Sequence, residues 1–430
     1  MKKLALISMV VLLGSSGLLL AEAKVTWGGT FYTYGFFWNN ADFNKDTKDG
    51  DMYYYVHGDI GATAELNGIT VVGKVVDWGT FGRHPILYTG QEGVAGGSGL
   101  GGAHFMELYL TINKIFDSPV SLSIGKKHVC YGYEFFDGGE DGVMGVVANI
   151  STETFNGDIF AYKLEENGGF GYVGSYPSVV PPDMDLLGFY GTLNLMDGKV
   201  GISPYAFIRR KMAADTSLGD KPMWFGVHSE GSPFAGVDYV VEFTMMGGKN
   251  ELTDMSYGGM HYMAKVGYST GPFSFGVAYA AFSGDDTSTT DKNELYTTPL
   301  DGPYTYGFYK WWPGFGPAHT MLTPASFACV ADWDPWMTNQ NVLDVYVGYA
   351  SGPLSVRFDF FGYGFDKGAP GIEKTGLLTR GQEVAVFAYY NYNDIVDLGF
   401  TAGMFMPNKD NFGDDATNAL GGYFFVFKSF

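Results

Sequence analysis

Charged side chains in this sequence occupy alternate positions of otherwise apolar runs. In VDYVVEFTMM (237–246), Asp238 and Glu242 alternate with Val237, Tyr239, Val241, Phe243 and Met245. In NVLDVYVGY (341–349), Asp344 faces away from Leu343, Val345, Val347 and Tyr349, and in PLSVRFDFF (353–361) Arg357 and Asp359 face away from Val356, Phe358 and Phe360. The same parity assigns Glu107, Lys127, Arg209, Lys265 and Glu383 to a polar face, with His261 in phase. Ions held in rows along one face act through their field: they set which solutes and ions gather there, with acids slightly ahead of bases.

Other candidate chemistry lies in the connections. Residues 283–340 contain SGDDTSTTDKNE, GFYKWWPGFGP and ADWDPWM. A connection this long is seldom idle. Its Trp311, Trp312, Trp333 and Trp336 are candidates to stack on sugar rings, either inside a lumen or on a rim. Asp285 and Asp286 are the candidate calcium ligands, since Ca²⁺ takes carboxylate oxygens. DFNKDTKDGD (42–51) places Asp42, Asn44 and Asp46 at alternate positions, yet Thr47 and Tyr53 stand where an EF-hand requires Gly and Glu. No other cofactor is expected. GSGLGG (97–102) matches a dinucleotide fingerprint by letters but lies in a Gly-rich stretch rather than between strand and helix, and H-E-x-x-H does not occur. Enzymatic activity is not expected.

The elements that carry these residues read as strands throughout. In ELYLTINKI (107–115), Leu108, Leu110 and Ile112, grouped with the preceding Met106, oppose Glu107, Tyr109 and Thr111; in FSFGVAYAAF (273–282), Phe273, Phe275, Val277 and Tyr279 oppose small residues. Period-two patterning of this kind defines strands with one apolar face. Tight-turn clusters near 66, 116, 196, 270, 351 and 393 alternate with long polar or Gly-rich connections at 39–51, 79–103, 165–185, 283–340 and 365–379. VGYSTGPFS (266–274) and VGYASGPLS (347–355) read as two similar hairpin turns.

Composition decides what surrounds such strands. Aromatics make up 17 % of the chain and charged residues only 17 %, against a usual ~25 %. Outward Leu, Val, Phe and Tyr on strand after strand suit lipid, and small or charged residues opposite suit water. The fold expected is an all-β, transmembrane, antiparallel up-and-down barrel of about 18 strands, 16 being possible, with short periplasmic turns and long extracellular loops.

Lys2 and Lys3, an apolar run to about Leu20 and Ala21-Glu22-Ala23 predict a signal peptide over 1–23, leaving one barrel domain over 24–430. Its removal takes away two Lys and one Glu, so the net charge moves from −20 to −21. A chain this acidic excludes nucleic acid as a partner, since such binding rests on Lys and Arg. Cys130 and Cys329 stand far apart, and their pairing is open. The terminal GGYFFVFKSF ends on Phe430, as barrels handed to an outer-membrane assembly machinery commonly do, with Lys428 and Ser429 interrupting the aromatic alternation.

Several stretches resemble the alginate-export-like outer-membrane barrel family: SLSIGKKHVCYGYEFFDG (121–138) with FNGDIFAYKLEE (155–166), FGVHSEGSPFAGVDYVVEF (225–243), and VAYAAFSGDDTSTTDKNELYTTPL with the following YTYG (277–307). The resemblance implies an 18-strand conduit. The arginine-rich lumen of that family is not matched: its Gly-Arg-Gln is Gly125-Lys126-Lys127 here, and Arg occurs only at 83, 209, 210, 357 and 380. The expected function is diffusion of small polar solutes or ions across the bacterial outer membrane, with cations or neutral solutes such as sugars preferred. Outer-membrane lipid surrounds the barrel in this reading, and homo-oligomers are compatible with it. The alternative is a plugged barrel that binds through its loops.

Overall fold

The computed structural model describes residues 23–40, 46, 51–82, 99–100, 103–132, 136–137, 142–165, 183–212, 219–299, 339–368, 372 and 374–430. The signal segment before 23, most of the 42–51 and 97–102 stretches, Cys329 and the four candidate tryptophans lie outside the described residues.

Eighteen long strands form the wall among the described residues. They are β1 Lys24–Asn39, β2 Asp51–Leu66, β3 Ile69–Gly82, β4 His104–Ile112, β5 Val120–Lys127 and β6 Val143–Ser151. Next come β7 Phe155–Glu165, β8 Met184–Leu195, β9 Val200–Met212, β10 Gly219–Phe234, β11 Val237–Asn250 and β12 Met260–Thr270. The last six are β13 Phe273–Phe282, β14 Gln340–Ser351, β15 Leu354–Phe365, β16 Gly376–Tyr392, β17 Val396–Pro407 and β18 Ala419–Ser429. Each pairs antiparallel with its predecessor in the chain, and β18 returns to β1 with Thr30 opposite Ser429 and Asn39 opposite Leu420. Closure leaves no edge with unpaired backbone groups, which a hydrocarbon surrounding requires.

The two faces separate as the alternation demands. Phe273, Phe275 and Val277 point outward, 45–46 % exposed, while Ala278 and Ala280 point inward and are 5–6 % exposed. Leu108, Leu110 and Ile112 of β4 are likewise outward. Met106 departs from its expected place in that row. Lys74 pairs with Glu107 and Val75 with Phe105, so Met106 is the extra residue of a bulge and Phe105 takes the outward position.

Turns of two to seven residues close one rim, and every connection longer than seven residues lies at the other, together with the six-residue connection 213–218. At Asn67-Gly68, both residues have positive φ (49° and 78°), the twist a two-residue hairpin needs. The two look-alike turns are indeed equivalent: Gly271 and Gly352 both have φ 56° and join adjacent antiparallel strands at the short-turn rim. Lys428, which breaks the terminal aromatic pattern, reaches this rim and donates to the Asp394 carbonyl at 2.7 Å.

Candidate functional site

All ten charged residues read from parity stand on the inner side of the wall. They do not converge on one centre; cross-strand registry divides them into patches. The densest spans β11 to β15. Arg357 on β15 reaches Asp344 on β14 at 3.1 Å and its own strand neighbour Asp359, Nε to Oδ1, at 2.7 Å. Its guanidinium lies 3.6 Å from the centroid of the Tyr346 ring. Lys265 on β12 sits 3.8 Å from Asp238 on β11. Between them β13 turns the small residues Gly276, Ala278 and Ala280 inward, and the Tyr346 ring of β14 reaches over Gly276.

A second patch surrounds Glu242 on β11. His228 lies directly opposite on β10, its Nδ1 3.1 Å from Oε2, and the Tyr205 hydroxyl donates to Oε1 at 3.3 Å. Next along β11, Thr244 meets the same hydroxyl at 2.6 Å. Higher on this wall Arg209 bonds Asp220 at 2.7 Å and stands over the Trp224 ring. Glu107 accepts from the His128 amide, and Lys127 lies over Tyr109. Glu383 is buried opposite Phe361 and Phe405; the Tyr363 hydroxyl, at 3.5 Å, is its hydrogen-bond partner among the described residues.

Two connections fold inward. Residues 128–132 and 136–137 lay Val129, Tyr131 and Phe136 against β7 to β9, where Tyr131 stacks on Phe160 at 4.9 Å. The Tyr131 hydroxyl meets Asp158 at 3.0 Å and the Tyr162 hydroxyl at 2.9 Å. Residues 283–299 do the same against β9 to β13. Tyr296 packs on His261 and Phe282, Trp224 donates to the Thr297 carbonyl at 2.7 Å, and Arg209 reaches the Pro299 carbonyl. Burial pushes the Tyr296 hydroxyl well above its ordinary pKa.

Asp285 and Asp286 serve the loop itself. Asp285 accepts from the Glu294 amide at 3.0 Å, and Asp286 accepts from the Ser288 hydroxyl and amide. These bonds hold the Asp286 carboxyl below its ordinary pKa, the hydroxyl first. For Glu294 desolvation acts upward but is outweighed by Lys292, Thr289 and the Asp286 amide, so its pKa is also lowered. Among the described residues no three His, Cys, Asp or Glu are grouped to hold a metal.

Sequence reasoning missed several lumen groups. Asp59 is bonded by His57 at 3.2 Å and Lys74 at 3.1 Å, and Asp158 by Tyr131 and Asn149. It also passed over a letter match, Gly267-Tyr268-Ser269-Thr270-Gly271, the spacing of a hydrolase nucleophile elbow. The structure puts it on the end of β12 and the β12–β13 hairpin, with Ser269 exposed and no helix following, so it is a strand end and a turn.

The barrel matches solved porins over nearly its whole length. Acinetobacter baumannii OccAB4 gives a TM-score of 0.57 at 11 % identity, covering 95 % of this chain and 98 % of that one. Pseudomonas aeruginosa OccK2 (OpdF) gives 0.56 at 10 %, covering 95 % and 98 %. A BenF-like porin from Pseudomonas fluorescens Pf-5 gives 0.56 at 9 %, covering 95 % and 99 %. No protein-family model and no curated protein matches the chain. The fold is that of the 18-strand porin barrels.

Proposed function

We propose that the protein is a bacterial outer-membrane porin through which small polar solutes and ions diffuse, with cations and neutral solutes favoured over anions. One observation carries the reading: a closed wall turns large apolar side chains outward and charged ones inward. A surrounding of lipid and an interior of water is the arrangement in which both faces are satisfied. The preference follows from the carboxylates. Arg357 is shared by two acids, and the half-buried Asp158 has only neutral donors among the described residues. The ten charges from Glu107 to Glu383 are therefore selectivity residues in this reading.

From the alginate-export resemblance we retain the 18-strand conduit; an arginine-poor lumen does not suit a polymeric carboxylate. OccK2, similar in fold at 8 % identity, is described in complex with glucuronate, an anionic sugar; the sugar class is taken from it as part of the proposal, and the charge preference rests on the carboxylates of this chain. Catalysis is not part of the proposal. Assembly-machinery recognition through the terminal strand, a cleaved signal segment and homo-oligomers belong to it as expectations. The amide bonds that occupy Asp285 and Asp286 favour a structural use over calcium.

The inward packing of Val129, Tyr131 and Phe136 and of residues 283–299 favours a second reading, a barrel plugged by its connections. Swelling of liposomes containing the refolded protein separates the two. A channel admits glucose and lysine faster than glutamate; no swelling in any solute supports the plug.

A further inference from the structure

Building on the channel reading, we propose that an inward aromatic stripe crossing β16, β18 and β1 is a stacking track for neutral sugars. The stripe is continuous. Phe387 and Tyr389 of β16 lie 6.3 and 6.5 Å from Phe425 of β18, centroid to centroid, and Phe425 lies 5.7 Å from Tyr34 of β1. Tyr34 continues to Tyr32 at 5.4 Å, and Tyr32 to Phe427 at 6.3 Å and to the His57 ring at 4.3 Å, stacked within 9°. On β17 the position between them is Gly399, whose added Cβ would stand 1.9 Å from the Phe425 ring. The wall is thus cut back so that the ring lies across it.

These rings differ from the other inward aromatics. Tyr131, Phe160, Tyr205 and Phe207 are buried against one another as a packed core. Tyr32, Tyr34, Phe387, Tyr389, Phe425 and Phe427 are only half-buried, on the lumen side; Tyr34 and Phe425 also rest on the buried Tyr423, at 5.6 and 6.2 Å, so core packing accounts for only part of their surface. Hydrogen-bonding groups flank the stripe. At the short-turn rim the half-buried Asn391 and Asp397 are bonded to each other at 2.7 Å, whereas on the β1 side Asp59 is buried and taken up by His57, Lys74 and Thr30 and only shapes the wall.

A pyranose has the matching chemistry. Its ring offers an apolar C–H face, which an aromatic face covers, and a rim of hydroxyls, which carboxylates and amides bind. A row of rings offers successive weak sites, the requirement for passage rather than retention. A carboxylated aromatic would find the stacking surface but meet the acid surplus of the lumen.

The test uses the refolded full chain in planar bilayers, with maltotriose as the probe and brief current blockades as the readout. The proposal expects blockades in the unmodified protein. Their half-blocking concentration should rise about tenfold in Phe425→Ala and in Tyr34→Ala, the scale of one lost aromatic contact. It should stay unchanged in Phe358→Ala, whose ring is outward. Steady conductance with no maltotriose blockade, blockade indifferent to Phe425→Ala, or stronger blockade by benzyl alcohol overturns the sugar track and leaves the channel standing. A folded but silent barrel overturns the channel instead. Tryptophan-fluorescence titration with maltotriose then decides the stripe: Phe425-dependent binding supports it, and absence of binding overturns it.

Discussion

The Tyr346 ring is held between two features of the lumen wall: it covers the space above Gly276, and the Arg357 guanidinium stacks on it at 3.6 Å. Stacking fixes the guanidinium plane, and the fixed plane presents its nitrogens to Asp344 and Asp359 together. Arg357→Ala leaves two buried carboxylates facing each other, and breaking a buried pair costs about 3–5 kcal/mol. The expected outcome is a lower urea midpoint of the folded barrel and a stronger cation preference. Arg357→Lys keeps the charge but loses stack and fork, so its midpoint falls between the two.

Gly276 tests the other side of that ring. A Cβ there would lie 2.3 Å from Tyr346, whose ring has Arg357 on it and cannot simply swing away. Gly276→Val should destabilise by about 1–3 kcal/mol through overpacking. Ala278→Val, one inward position further along β13, supplies the comparison, and the same urea titration reads both.

Tyr131 anchors the inward residues 128–132 through a hydroxyl that serves Asp158 and Tyr162. Tyr131→Phe keeps the stack on Phe160 and removes both bonds, leaving a carboxylate short of a donor. The expected cost is about 1–3 kcal/mol. Faster amide exchange confined to 128–132 would show it, together with a larger and noisier channel conductance.

Much of this was legible in the sequence. The strand period of two is exact enough that parity alone put Asp238, Glu242, Asp344, Arg357, Asp359 and Glu383 on one side of the wall. Parity failed where contrast is weak. Asp59 lies in VHGDIGA and Asp158 in FNGDIFA, where glycines and small residues blur the two faces. It failed again at Met106, because a bulge shifts the period by one and depends on the partner strand. Which charges meet was not legible, since Asp344 and Arg357 find each other only through the β14–β15 register. The direction of a connection is just as non-local: residues 128–132 turn inward because Asp158 and Phe160, some thirty residues on, receive Tyr131.

Residues 283–299 should respond to acid. Asp286 and Glu294 both have lowered pKa values, so ordering this loop favours their charged forms. A depressed carboxyl contributes stability above its unfolded pKa and loses it as pH falls through the folded value. The loop should therefore hold from neutral pH to about pH 5 and loosen progressively towards pH 3. Hydrogen exchange over 283–299 at pH 7 and pH 3, corrected for intrinsic rates, checks this; equal protection at both would contradict it.

An open, acid-biased lumen has a direct electrical signature, the reversal potential of single channels formed by the refolded protein across a tenfold KCl gradient. Steady open steps are expected, with a reversal potential of the sign of potassium preference. Anion preference, or a correctly folded barrel that never conducts, would contradict it.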